Sequence, residues 1–168
     1  MNNKLIFVGD KILREIALPV DAITDETHAI IKNMKTVMAD QRGAGIAAPQ
    51  IGINQRIFIF IEPGDRPDIN VCINPEITAR SIRQIEMEEG CLSVQGPDGP
   101  VFALVSRPET ITATWTTLDG KTKTRELTGV AARAFLHEHD HLNGILFTDY
   151  LSDLKRSMVM NKVKKRKS

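Results

Sequence analysis

Apolar and polar positions alternate along this chain with two different periods. Between residues 24 and 41, Ile30, Met34, Val37 and Met38 recur every three to four positions, which predicts an amphipathic helix. Thr24 stands where a cap belongs, Asp25 and Glu26 suit the positive end, and Gly43 follows the last turn. Arg56 to Ile61 and Val71 to Ile73 read as strands rich in β-branched and aromatic residues. Over residues 109–126 the period is two: Ile111, Ala113 and Trp115 alternate with threonines, and Asp119-Gly120 predicts a hairpin with a two-residue turn. A second helix is expected over 129–142, with Thr128 as cap and Asn143-Gly144 as stop, and Ser152 can open a third that runs into the C-terminus. Strands in the middle with helices on either side place the chain in the α+β class.

Composition narrows the setting. The 168 residues are one domain's worth, and the longest purely apolar run, Ile57 to Ile61, is far below the roughly 18 residues of a membrane span. The apolar stretch near the start, Leu5 to Val8, is too short for a signal-peptide core, so a cytoplasmic location with reduced Cys72 and Cys91 is expected. The net charge of +1 conceals an asymmetry, because no acidic residue follows Asp153 while Lys155, Arg156, Lys162, Lys164, Lys165, Arg166 and Lys167 crowd the end. Such a tail suits a polyanion as well as plain solvent.

The chemistry is concentrated in the second helix. His137 and His141 are four apart in His137-Glu138-His139-Asp140-His141, so they project from one face, one turn apart, and can share a transition-metal ion. Glu138 follows the first histidine and can serve as a proton acceptor beside such an ion. His139 lies about 200° around the helix from His137 and reads as a packing residue. Asp140 is either an acceptor for a ligand imidazole or a solvated carboxylate, and His28 reads as a surface residue. A catalytic metal site needs a third protein ligand and an open position. Two common metalloprotease arrangements fail, since Phe147 stands where a third histidine would come and no glutamate follows Glu138. Upstream candidates are Cys91 in Glu88-Glu89-Gly90-Cys91-Leu92-Ser93, Cys72, which reads as an inert strand thiol, or a carboxylate. The small-residue run from Gly43 to Gln50 lets backbone approach a ligand closely, and the Gln50 amide can donate to a developing oxyanion.

Three segments in this order, Gly43 to Gln50, Glu89 to Ser93 and His137 to His141, resemble the motifs of peptide deformylases of the bacterial type 1, and the resemblance runs from about the first helix to Tyr150. It implies small antiparallel sheets wrapped around a central metal-binding helix, with flanking N- and C-terminal helices. Residues 1–150 would form a single catalytic domain, and 151–168 a C-terminal helix with a basic tail. Cys91, His137 and His141 match the metal ligands, with ferrous iron the usual ion and zinc, nickel or cobalt as substitutes. Glu138 matches the general acid/base, Gln50 and the Leu92 N–H the groups that stabilise the tetrahedral intermediate, and Gly45 a backbone position lining the substrate groove. The implied reaction removes the N-terminal formyl group from formylmethionine of new polypeptides and releases formate. The implied partners are nascent formylated peptides and, through the basic tail, the ribosome near its exit tunnel, with no DNA, no membrane and a monomeric chain.

The chain departs from the common pattern in three places. Gln95 replaces a proline and is followed by Gly96-Pro97-Asp98-Gly99-Pro100, which reads as a longer, turn-rich loop; Leu136 stands where glutamine is frequent; and His139 occupies a usually apolar position. Two other readings remain: a zinc hydrolase with a different third ligand, and a non-enzymatic RNA-binding protein acting through its tail.

Overall fold

A computed structural model describes residues 4–62 and 68–165. Its elements are α1 (Asp25–Asp40), β1 (Gly45–Ala47), β2 (Ile57–Glu62), β3 (Asp68–Arg80), β4 (Gln84–Gly96), β5 (Gly99–Pro108), β6 (Thr110–Thr116), β7 (Thr122–Thr128), α2 (Gly129–His141) and α3 (Asp153–Lys165). Short 3-10 turns occupy Lys11–Arg14, Ala48–Ile51 and Phe147–Tyr150. The strands form two antiparallel sheets, a five-stranded one in the order β1-β2-β3-β6-β7 and a two-stranded one of β4 and β5.

The run Ile57 to Phe60 is buried at every position because β2 is covered on both faces. Alternation sends Ile57 and Ile59 to one side, where they pack with Ile30, Ile31, Met34 and Val37 of α1. Phe58 and Phe60 go to the other, where they meet Phe135 of α2. Phe135 sits edge-on to Phe58 at a centroid distance of 4.9 Å and also touches Trp115 of β6. Helix α2 is therefore central. Its Ala132, Phe135 and Leu136 side lies on the large sheet, and its opposite side turns Arg133, His137 and His141 towards β4 and β5. On the far side of the small sheet, Val159 and Val163 of α3 join Val94, Val101, Val105 and Phe147 in a third core.

The expected helices and strands are present, with local differences. Thr24 caps α1 through a reciprocal pair with Thr27, but α1 stops through Arg42 in the left-handed region (φ 53°) one residue before Gly43. Thr128 occupies the cap position of α2 without a side-chain hydrogen bond, whereas Ser152 Oγ accepts from Lys155 N as expected of a cap. The β6–β7 turn is a three-residue loop rather than a two-residue one: Thr117 and Lys121 close it, and Gly120 takes φ 80°, a position that a side chain would strain. The short strand at Val71 to Ile73 extends over Asp68–Arg80, with register shifts after Ile73 and Ile77 that break the apolar pattern. The segment from Gly96 to Pro100 is not a long loop. Gly96 pairs with Gly99, so Pro97-Asp98 is the tight turn of the β4–β5 hairpin. Arg166 and Lys167 of the basic tail lie outside the described residues.

Candidate metal centre and active-site cleft

The three chemistry-bearing segments converge where α2, β1 and β4 meet. A cleft of about 330 Å³ is bordered by Gly43 to Gly45 and Gln50 on one side, Glu88 to Leu92 and Phe102 on another, and Val130, Arg133, Ala134, His137 and Glu138 on α2. Cys91 Sγ and one nitrogen each of His137 and His141 lie within 4.8 Å of one another, and His141 Nε2 is 3.2 Å from the sulfur. Tetrahedral coordination by one thiolate and two imidazoles puts such donor atoms about 3.5 Å apart, so this trio fits a single transition-metal ion. Cys91 brings the third donor atom to the two imidazoles, at the position that sequence spacing left open. Cys72 is fully buried in β3, and desolvation raises its thiol well above the usual range, as expected of an inert core residue.

The second layer fixes the first. His137 Nδ1 lies 3.0 Å from Glu89 Oε2, which leaves Nε2 for the thiol side. Glu89 also accepts from Arg107 Nε at 2.6 Å and Nη2 at 2.9 Å, and from Arg133 Nη1 at 2.6 Å. Burial alone would raise Glu89, but the bonds from His137 and Arg107 and their charges hold it down to about 2. Arg107 in turn donates to Asp140 Oδ2 at 2.7 Å, and Tyr150 lies under its guanidinium at 4.6 Å. Asp140 is thus neither a partner of a ligand imidazole nor solvated: it is buried and neutralises Arg107, and Glu89 does the orienting instead. His141 is pushed well down by burial and by the charges of His137 and Arg107, which favours the neutral, ligating imidazole.

Glu138 is buried, its Oε2 has no hydrogen-bond partner among the described residues, and desolvation pushes its carboxyl up to about 7. A Cβ placed on Gly45 would lie 2.5 Å from Glu138 Oε1, so the glycine makes room for this carboxylate. Gln50 is held at both ends. Its Oε1 accepts from Ala47 N at 2.8 Å, and its Nε2 donates to Ser93 Oγ at 3.1 Å and approaches Cys91 Sγ at 3.6 Å. The β4–β5 ladder lapses between Gly90 and Gln95, so Leu92 has no register partner on β5. His139 stacks on Phe135, its Nδ1 lies 3.2 Å from Asn143 Nδ2, and burial with the Arg56 and Arg80 charges lowers it to about 4, as befits a neutral packing histidine. His28 is exposed on α1.

The Polypeptide deformylase family profile matches residues 3–157. The chain belongs to that family. It is 41% identical to a peptide deformylase of Rhodopseudomonas palustris over 166 residues, covering 96% of this chain and 93% of that one. Its fold matches the crystal structure of a peptide deformylase from Legionella pneumophila with a TM-score of 0.90 at 39% identity, covering 98% and 94% of the two chains. A peptide deformylase from Ehrlichia chaffeensis gives a TM-score of 0.90 at 30% identity, covering 97% and 95%. As a member of this family the chain is a hydrolase that removes the N-terminal formyl group from newly made polypeptides. Among the described residues, no helix is long and apolar enough to cross a membrane.

Arg107, Arg133 and the role of Glu89 escaped the sequence reading. A signal for the first was available: Val101, Ala103 and Val105 alternate inward along β5, and Arg107 is the next residue in the same phase, a cation placed on an apolar face. Arg133 lies one helical turn before His137 and shares its face.

Proposed function

We propose that Cys91, His137 and His141 hold the catalytic ion, ferrous iron in the cell with zinc, nickel or cobalt as substitutes, and that Glu138, Gln50, Leu92 and Gly45 carry out the rest of the deformylation. The observation that carries this reading is the meeting of one thiol, two imidazoles, a buried carboxyl and an anchored carboxamide on one cleft. When bound, the ion supplies Lewis acidity to the formyl group and to water.

The chain's own groups divide the remaining work. Glu138, with a carboxyl poised near neutrality, accepts a proton at Oε2 from the attacking water and returns it to the leaving amine. Gln50 Nε2 and the Leu92 N–H donate to the oxygen on which charge accumulates, and the Ala47 contact keeps the amide from turning. Gly45 lets the substrate backbone lie flat along β1 beside Glu138. Glu89, tied to two arginines, holds the His137 ring in one orientation.

Residues 1–150 form the catalytic unit in this reading, and 151–168 a helical extension. The extension's exposed Lys162, Lys164 and Lys165 suit the phosphate backbone of ribosomal RNA near the exit tunnel, where formylated nascent chains emerge into the cytoplasm to meet a monomeric enzyme. The deciding experiment is formate release from formyl-Met-Ala-Ser by protein purified without oxygen. Rapid release that a chelator abolishes and ferrous iron restores is expected; a metal-replete protein that leaves the peptide intact would overturn the assignment.

A further inference from the structure

A second hollow, of about 210 Å³, lies between β5 and α3. Its strand side consists of four consecutive residues, Val101, Phe102, Ala103 and Leu104. Successive residues of a strand point to opposite faces, so a hollow bordered by four in a row runs along the strand's edge rather than over one face. That edge is open, since among the described residues β5 pairs only with β4. The helix side is Lys155, Met158, Val159 and Lys162, the spacing of a single helix face. The groove is apolar along its middle, where Phe102, Leu104 and Met158 are 59%, 46% and 59% exposed, and has an exposed ammonium group at each end. Phe102 also borders the catalytic cleft, so the two hollows share a wall.

We propose that this groove receives the substrate polypeptide downstream of its formylated residue, as an extended apolar segment with acidic side chains. The proposal rests on the reading of the cleft given above. A peptide leaving the cleft over Phe102 comes directly to the groove, since Phe102 borders both. The free edge of β5 offers it backbone hydrogen bonds, Leu104 and Met158 offer apolar contact, and Lys155 and Lys162 complement acidic residues on either side. Formylated chains with such a segment are thereby deformylated at lower concentration than short ones.

The test compares KM for formyl-Met-Ala-Ser with that for formyl-Met-Ala-Ser-Val-Leu-Asp-Val-Glu-Leu on the metal-loaded full chain. The longer peptide is expected to show a KM about tenfold lower at similar kcat, roughly the discrimination one apolar pocket supplies. Met158→Asp and Leu104→Asp should each raise that KM to the tripeptide's value and leave tripeptide hydrolysis unchanged, which also reports that the variants fold. Replacing the two acidic residues of the long peptide by lysine should abolish its advantage. Equal KM values for the two peptides in the parent protein would overturn the proposal, as would an advantage that survives both substitutions. If Met158→Asp dissociates a dimer, or weakens co-sedimentation with ribosomes, while the long peptide's KM stays put, the groove belongs to that other partner and the proposal falls. Failure to cleave either peptide would instead strike the reading of the cleft itself.

Discussion

His137 and Glu89 are joined by a 3.0 Å contact between Nδ1 and Oε2, and the same carboxylate accepts from two buried arginines. The orientation of a candidate metal ligand therefore depends on a charge network inside the protein. Glu89→Ala would leave Arg107 and Arg133 with fewer counter-charges in a dry setting, which costs about 3–5 kcal/mol when a buried pair is broken. It would also free the His137 ring and lower metal affinity about 10- to 100-fold. Glu89→Gln keeps the shape and an acceptor for His137 but loses the charge, so it should fall between the two. Urea denaturation and metal titration of both variants measure these terms separately, and parent-like metal affinity in Glu89→Ala would refute the orienting role.

The two cysteines should respond in opposite ways to the same change. Cys91→Ser removes the soft donor from the trio, and the expected outcome is loss of bound metal with the fold kept. Cys72→Ser puts a hydroxyl into the apolar cluster opposite Phe58, costing about 1–3 kcal/mol of stability, while metal content per folded molecule stays at the parent level. Metal analysis beside thermal melts distinguishes the cases. Metal retained at full stoichiometry in Cys91→Ser would send the search for the third ligand elsewhere.

What could be read from the sequence follows from how local each feature is. The helix carrying His137 and His141 announces itself through a four-residue spacing, and β6 through the alternation of Ile111, Ala113 and Trp115 with threonines. The strands of the small sheet carry no apolar signature, because β4 exposes Gln84, Glu86 and Glu88 and its buried positions include Glu89, a charge that no apolar pattern predicts. The pairing of Glu89 with Arg107 spans 18 residues, that of Arg107 with Asp140 spans 33, and that of Glu89 with His137 spans 48. Only the folded hairpin brings them together. Spacing therefore points to His137, Glu138 and His141 as groups suited to bind and react, but not to the groups that hold them in place.

Asp149 gives a prediction about acid stability. Arg14 donates to both of its oxygens, at 2.5 and 3.2 Å, the Leu146 N–H donates at 2.9 Å, and Arg156 lies 3.3 Å away. Burial alone would raise the Asp149 carboxyl, but the Arg14 bonds, the Leu146 N–H and the two positive charges bring it below the ordinary value of 3.8. A carboxyl lowered in the folded state stabilises the fold above its unfolded pKa, and this contribution is lost as the pH falls through its folded pKa. Asp149→Asn should therefore cost about 1 kcal/mol at pH 7, a value kept small because the pair is partly solvated. The gap between parent and variant should narrow below about pH 4. Urea midpoints at pH 7 and pH 3 test the sign, and a gap that widens on acidification would contradict it.

Gly45 and Glu138 give the sharpest test of the catalytic assignment, because one added methyl group should disable a carboxylate that it does not chemically alter. A Cβ at residue 45 would meet Glu138 Oε1 at 2.5 Å and its Cδ at 3.0 Å, so the carboxyl must shift from its place. Gly45 has no positive φ, so alanine is compatible with its backbone and the fold should survive. Displacing a proton-transfer group by about 1 Å costs on the order of 100-fold in rate. Gly45→Ala should therefore lower kcat by about that factor while the bound metal stays. Glu138→Gln, which keeps the volume but cannot accept a proton, should lose about 10²- to 10⁴-fold. The double variant should be no worse than Glu138→Gln alone, since both changes remove the same function. Steady-state rates on formyl-Met-Ala-Ser for the three proteins decide the matter: multiplicative losses would mean that Gly45 acts on the substrate independently of Glu138.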